Sequence, residues 1–441
     1  MSSESKSRRT FIKNGTFTMG AMIATPILSK ANYFSGAAGE IKIALVGCGG
    51  RGTGACIQAL SSKQNVKLVA MADAFEDRLE DSLKAITKKS QDANAPFSSS
   101  KIDVPKERQF VGFDAYKQAM PLADVVLIAT PPGFRPIHFE EAIGLNKHVF
   151  MEKPVSTYPA GIQRVLATAE LAKQKRLNVV VGLQRHYQNS YRELFKRKEL
   201  IGDITSAGAW WNDAGVWVNP RKEGQTEMEY QMRNWYYFNW LCGDLIVEQH
   251  IHNLDVINWF KGAHPVKAQG MGGRQVLTGK EYGEIFDHHA VEFTYPDGSV
   301  LSSQCRHIPG AYRRVDEVFT GTKGKIMCGA AAITDLKGND LYRFDKKGEN
   351  NPYQTEHDEL FAAIAKGEYK FADAENGAMS TMTSIFGRLA TYSGQELDWD
   401  KVINSGLEIM PKEYSFNATP PTLPNADGFY PIAVPGKTKY V

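Results

Sequence analysis

At 441 residues the chain is longer than one hydrophobic core usually spans, which points to two domains. Hydrophobic residues make up 42% and charged residues 23%, which excludes bulk disorder. Lys and Arg number 52 against 49 Asp and Glu, spread along the chain without a basic tract, so no nucleic-acid partner is expected. Five cysteines, an odd number with Cys48 inside a glycine turn, do not form a disulfide framework and read as free, mostly buried thiols.

The N-terminus carries Arg8-Arg9, Phe11 and a modest apolar stretch over residues 16–28, with small residues near Ser29 and Ala31. The stretch is shorter than the ~20 residues that span a bilayer. The pattern resembles a bacterial twin-arginine (Tat) export signal, so residues 1–38 are expected to be signal and linker, and the mature chain to be periplasmic without a membrane span.

From residue 41 the sequence becomes regular. An apolar β-rich run over 41–46 ends in a glycine cluster, and residues 56–60 read as helix. A second apolar run, 66–72, ends at Asp73, and residues 77–89 read as a charged helix. Residues 94–100 read as a loop insertion. A nearly all-apolar strand over 123–129 is followed by a helix at 139–144 and a strand at 149–151. Strands that are apolar on both faces and alternate with helices predict a doubly wound, parallel α/β sheet, the Rossmann arrangement, over residues 39–158. Residues 161–175 read as helix and 179–181 as another strand. Alternating runs at 207–212, 291–295, 301–306 and 315–320, with a Pro-Asp-Gly turn at 296–298, predict an α+β domain over 159–400 on a large, mostly antiparallel sheet. Residues 401–441 are expected to be a surface-wrapping extension.

Gly47-Cys48-Gly49-Gly50-Arg51-Gly52 satisfies G-x-G-x-x-G in the context that gives the motif meaning, between a strand and a helix. Gly47 permits the tight turn, Gly49 lets the backbone approach a pyrophosphate, and Gly52 allows close packing of strand and helix, with Gly50 also among the expected cofactor-binding residues. The phosphates then meet the unpaired amides of the helix start, with Arg51 beside them. Asp73, ending the next strand, is placed to accept hydrogen bonds from an adenosine ribose and to repel a 2′-phosphate, which favours NAD over NADP.

Thr130 and Pro131 end the third long strand, and Gly144 to Val149 lead into Glu152-Lys153-Pro154. In these features the sequence resembles the Gfo/Idh/MocA family, the group of glucose–fructose oxidoreductase and inositol dehydrogenase. The resemblance implies a nucleotide-binding domain, with Thr130, Pro131, Glu152 and Lys153 at the cofactor. It also implies a second α/β domain whose open sheet often forms an oligomer interface, so a homo-oligomer is expected. It assigns to Lys153 the stabilisation of alkoxide character on the substrate oxygen, a role that suits an ammonium at a strand's carboxyl end.

The segment from Gly243 to Asp255 looks like the family's second catalytic element. Read as one helix, it places Asp244, Glu248, His252 and Asp255 on one face. The resemblance assigns proton transfer to His252, its acidic partner to Glu248 and a sugar contact to Asp255. Glu248 stands where the family usually has aspartate, and His250 where it has a small residue. On such a helix His250 points about 200° from Glu248, so the two cannot converge with His252 on a metal ion, and none is expected. Trp210, Trp211, Trp217, Trp235, Tyr236, Tyr237 and Trp240 concentrate aromatic surface within about 30 residues, and flat apolar faces suit sugar rings. Arg233, Trp235 and Tyr236 are the substrate-side candidates there, and Arg185 is expected near cofactor and substrate.

Together these features predict an exported NAD-dependent oxidoreductase acting on a secondary hydroxyl of a sugar, glycoside or polyol. The family also includes glycosidases of glycoside hydrolase family 109, which use NAD without net consumption, and that alternative stays open.

Overall fold

The computed structural model describes residues 39–440. The export-signal reading falls on residues 1–38, outside the described part. The described chain forms one compact unit built on two sheets.

The first sheet has six parallel strands: β1 (Ile41–Val46), β2 (Val66–Asp73), β3 (Gln109–Val111), β4 (Val125–Ile128), β5 (His148–Met151) and β6 (Val179–Val181), in the order β3-β2-β1-β4-β5-β6. Central strands such as β4 are buried along their whole length because helices cover both faces of the sheet. The order reverses between β1 and β4, and the crevice past their carboxyl ends is where such sheets seat ligands. Gly47 and Thr130 meet there. A Cβ on Gly47 would lie 2.5 Å from the Thr130 nitrogen, and its φ of +95° suits glycine.

The parallel sheet does not stop at residue 158. β6 pairs with β5, so the sheet extends the first domain past the expected boundary. Local patterning identifies residues 179–181 as a strand, but the sheet it joins is decided by non-local pairing.

The second sheet has nine strands: β7 (Ile204–Asp213), β8 (Lys267–Gly273), β9 (His288–Thr294), β10 (Val300–His307), β11 (Arg314–Gly321), β12 (Gly324–Met327), β13 (Ala332–Asp335), β14 (Asp340–Arg343) and β15 (Leu397–Asp398). Their order is β14-β13-β12-β11-β7-β10-β9-β8-β15, antiparallel except for β7 with β10. Its inner face packs against the helix Ile251–Lys261 and the almost wholly buried helix Ala374–Ser393. That long helix also ties the two domains together. Thr381 Oγ1 accepts from the Val155 amide at 3.2 Å, and Arg388 donates to the Thr157 carbonyl at 2.8 Å.

Residues 404–440 run along the surface without helix or strand. The Leu407 carbonyl accepts from the Ala160 amide, and Phe416 packs on Phe75 and Phe113 with ring centroids 5.1 and 5.0 Å apart. Farther on, the Thr422 carbonyl accepts from Gln231 at 2.8 Å, and the Gly436 amide donates to Ser393. The segment thus touches both domains. All five cysteines are free and buried, and no described helix is long and apolar enough to cross a membrane.

Candidate active site

A cavity of about 690 Å³ runs from the carboxyl ends of β1 and β2 to the inner end of the second domain. One end is built by the glycine turn. Gly49 is extended at φ −70°, and the helix Gly50–Leu60 starts directly after it, so its first amides point into the cavity. A Cβ built on Gly49 or Gly50 would meet no atom within 4 Å, which leaves a cradle in front of the helix start. Gly52 is the opposite case, since a Cβ there would lie 1.9 Å from the Gly47 carbonyl oxygen.

Asp73 borders the same end. Its carboxylate accepts from the Cys48 amide at 2.6 Å and the Phe75 amide at 2.9 Å, which fixes it at the turn. Burial pushes its pKa up while those two amides hold it down. An adenosine ribose would find an oriented acceptor here and a 2′-phosphate a repulsive one. Asp73→Ala is therefore expected to narrow the preference for NAD over NADP by about tenfold, read from the two dissociation constants.

At the other end Lys153, directly after β5, meets the second domain. Its Nζ donates to the Glu248 carbonyl oxygen at 2.6 Å and to Glu248 Oε1 at 3.2 Å. Glu248, expected to partner His252, is therefore a partner of Lys153 instead. Burial pushes the Glu248 carboxyl up, and the nearby Lys153 and Arg135 charges pull it back. His252 lines the same cavity under Trp211, whose ring stacks on the imidazole at 5.9 Å. His252 Nδ1 is buried without a partner, leaving Nε2 as the nitrogen available to a substrate. Burial, then the charges of Lys153, Arg185 and Arg51, hold this histidine well below the usual imidazole range.

The geometry departs from a single helix face because the segment is not one helix. It forms a short helix, Leu245–Glu248, and a second, Ile251–Lys261, with a break at residues 249–250. Asp244 sits at φ +77° before the first and accepts from the amides of Leu245 and Phe286, a structural role. His250 turns toward the second sheet, where its Nε2 lies 2.7 Å from Ser303 Oγ. Asp255, expected at the substrate, is 1% exposed and lies behind the cavity wall, bonded to His186 at 2.8 Å and to Asn376 and Ser380. Among the described residues no cluster of three metal-ligating side chains occurs.

Other expectations shift in place. Arg233 lines the cavity but at its adenosine end, where it pairs with Asp77 at 2.9 Å and lies 4.0 Å over the Phe75 ring. Tyr236 is 2% exposed within an aromatic cluster and does not line the cavity, whereas its neighbour Trp235 does. Arg185 borders the cavity with its guanidinium bound to the buried Glu317. Arg51 pairs with Glu152 at 2.5 Å and stacks over Tyr353 at 5.0 Å. Thr130 and Pro131 line the cavity, with Thr130 Oγ1 2.9 Å from His138 Nδ1. Trp211, Gln249, Tyr353 and Arg135 are cavity residues that sequence motifs did not mark as site residues. Trp211 carried a signal as part of the aromatic run; the other three carried none.

Residues 41–182 match the oxidoreductase family described as NAD-binding Rossmann fold, Gfo/Idh/MocA. The match covers all six strands of the parallel sheet, β1 to β6. Parts of the chain are similar in sequence to inositol dehydrogenases. It is 29% identical over 153 residues to the inositol 2-dehydrogenase of Gluconacetobacter diazotrophicus, an alignment spanning 34% of this chain and 39% of that one. It is 22% identical over 299 residues to the myo-inositol 2-dehydrogenase of Thermotoga maritima, covering 64% of this chain and 82% of the relative. The scyllo-inositol dehydrogenase of Lactobacillus casei, solved with NAD(H) and scyllo-inositol, superposes with a TM-score of 0.59 at 20% identity over 82% of this chain and 99% of that one. The likeness to it is one of fold, across both domains. The match to the Gfo/Idh/MocA domain ends at residue 182, one residue after β6, in agreement with the sheet.

Proposed function

We propose that this chain is an NAD(H)-dependent dehydrogenase of a secondary hydroxyl on a sugar, glycoside or polyol. The observation that carries the reading is that Lys153 of the nucleotide-binding domain and His252 of the second domain open onto one cavity, with the glycine cradle and Asp73 at its far end. The similarity to inositol dehydrogenases supports the substrate class.

The residues present fit the dinucleotide: the cradle at Gly49 and Gly50 for the pyrophosphate, Asp73 for the ribose, and Thr130, Pro131 and Arg185 along the nicotinamide side. When bound, NAD supplies the acceptor for the hydride of the carbinol carbon. Lys153 has three donors and uses two on Glu248, which leaves one aimed by that fixed geometry for the substrate oxygen. Glu248 is thus a positioning residue for Lys153. His252 is neutral at working pH because its surroundings oppose the charged form, so Nε2 is ready to take the hydroxyl proton as the carbon is oxidised. Trp211 holds the imidazole plane and closes one side of the site.

Export by the twin-arginine route belongs to the same proposal, resting on Arg8-Arg9 and the apolar stretch that follows. We also assign self-association to the outer face of the nine-stranded sheet, where Met271 is 78% exposed. The experiment that tests the chemistry incubates the NAD-loaded protein with polyols and aryl glycosides. Nicotinamide absorbance and released aglycone are followed together. Net reduced nicotinamide with a ketone product is the expected result; aglycone release with neither would overturn the dehydrogenase in favour of an NAD-dependent glycosidase.

A further inference from the structure

The charged groups at the catalytic end of the cavity pair off with one remainder. Arg51 is answered by Glu152, Lys153 by Glu248 and Arg185 by Glu317. Arg135, which starts the helix Arg135–Gly144 just past β4, lines the cavity at 4% exposure, and among the described residues it makes no ion pair. One of its terminal nitrogens donates to the Pro154 carbonyl, and its Nε is buried without a partner. Burial lowers its pKa to about 10, the opposing carboxylates being Glu248 and Glu152. A guanidinium so placed is costly unless an anion completes it, and its planar fork matches a carboxylate through two parallel hydrogen bonds.

We propose that Arg135 binds the carboxylate of an acidic sugar, a uronate or aldonate, and so sets the substrate class of this site. The inference rests on the dehydrogenase reading above and names its substrate. The pyrophosphate of the coenzyme has its own seat at the start of the helix Gly50–Leu60. Arg135 is tied instead to the residue that follows Lys153, and the carboxylate nearest to it in effect is that of Glu248, the partner of Lys153. A ligand carboxylate held there places the rest of the sugar beside Lys153 and His252. It also adds a negative charge to a site whose cations oppose protonation of His252, easing the proton transfer that oxidation requires.

The test measures equilibrium binding of D-glucuronate, D-galacturonate and D-gluconate to the NAD-loaded protein, against D-glucose, D-galactose and D-glucitol. The wild-type protein is expected to bind at least one acid about tenfold tighter than its neutral counterpart, or more. Arg135→Gln is expected to erase that preference, and Arg135→Lys to retain part of it, with bound NAD unchanged in both. Equal binding of acids and neutral sugars by the wild-type protein would overturn the proposal without recourse to any variant. So would an Arg135→Gln protein that keeps the acid preference, or one that loses NAD instead, which would give the guanidinium to the pyrophosphate. Nicotinamide reduction judges the parent reading separately. Turnover of neutral polyols without acid preference removes the Arg135 assignment alone, and acid binding without net redox removes the dehydrogenase alone.

Discussion

Lys153→Met and His252→Ala are each expected to lower turnover by about 10²–10⁴-fold while NAD binding changes by no more than a few-fold. In the proposed reaction the two groups act on the same carbinol from opposite domains, one on the oxygen and one on its proton. The Lys153 variant carries a second consequence. It leaves Glu248, only 7% exposed, without its ammonium partner, and breaking a buried pair costs about 3–5 kcal/mol. The double variant Lys153→Met/Glu248→Gln removes that charge, so it is expected to regain thermal stability and still fail to turn over. If the double variant recovers activity, Lys153 is a structural partner and the mechanism is wrong. The pH profile offers an independent check. The pKa of His252 lies well below the usual 6.5, so the imidazole is neutral, and competent as a base, at pH values where an ordinary histidine is already charged. The acid limb of kcat/KM for alcohol oxidation is therefore expected below pH 6.5. A limb at or above that value would remove His252 from the role.

Local sequence carried the nucleotide half of the site well because its signals are local. A buried parallel strand has no polar face, so 41–46 and 123–129 stand out, and the glycine turn, the following helix and Asp73 lie within about 30 residues. The catalytic half was legible in residue identity and not in geometry. The run from Asp244 to Asp255 reads as one helix because nothing in its side chains breaks it. The break comes from outside: Asp244 is held by the Phe286 amide, His250 by Ser303 on β10, and Glu248 is drawn to Lys153, 95 residues away. Once the helix is split, Asp255 turns to His186 and leaves the cavity. A carboxylate that touches a sugar and one that anchors a buried histidine look the same in sequence. Arg135 shows the converse, since no motif in the sequence marks it. Its unanswered charge is visible only when the three neighbouring cations are seen with their carboxylates.

Two glycine substitutions three residues apart are expected to separate folding from coenzyme binding. At Gly52 a Cβ would overlap the Gly47 carbonyl oxygen at 1.9 Å and also crowd Ala129, so Gly52→Ala must push the helix off β1. Overpacking of this kind costs ~1–3 kcal/mol or more, and the melting temperature is expected to fall by several degrees even without nucleotide. At Gly49 the backbone is already in a conformation any residue adopts, and a Cβ would meet no protein atom within 4 Å. Gly49→Ala is therefore expected to leave the melting temperature of the nucleotide-free protein unchanged. The methyl group projects into the space where the pyrophosphate must approach the helix start, so the NAD dissociation constant is expected to rise by about tenfold or more. Calorimetric melting and equilibrium titration with NAD on the two variants read these effects independently. If Gly49→Ala binds NAD as tightly as the wild-type protein, the pyrophosphate does not lie against this turn, and the cradle, with the placement of the nicotinamide beside Lys153 that depends on it, is lost.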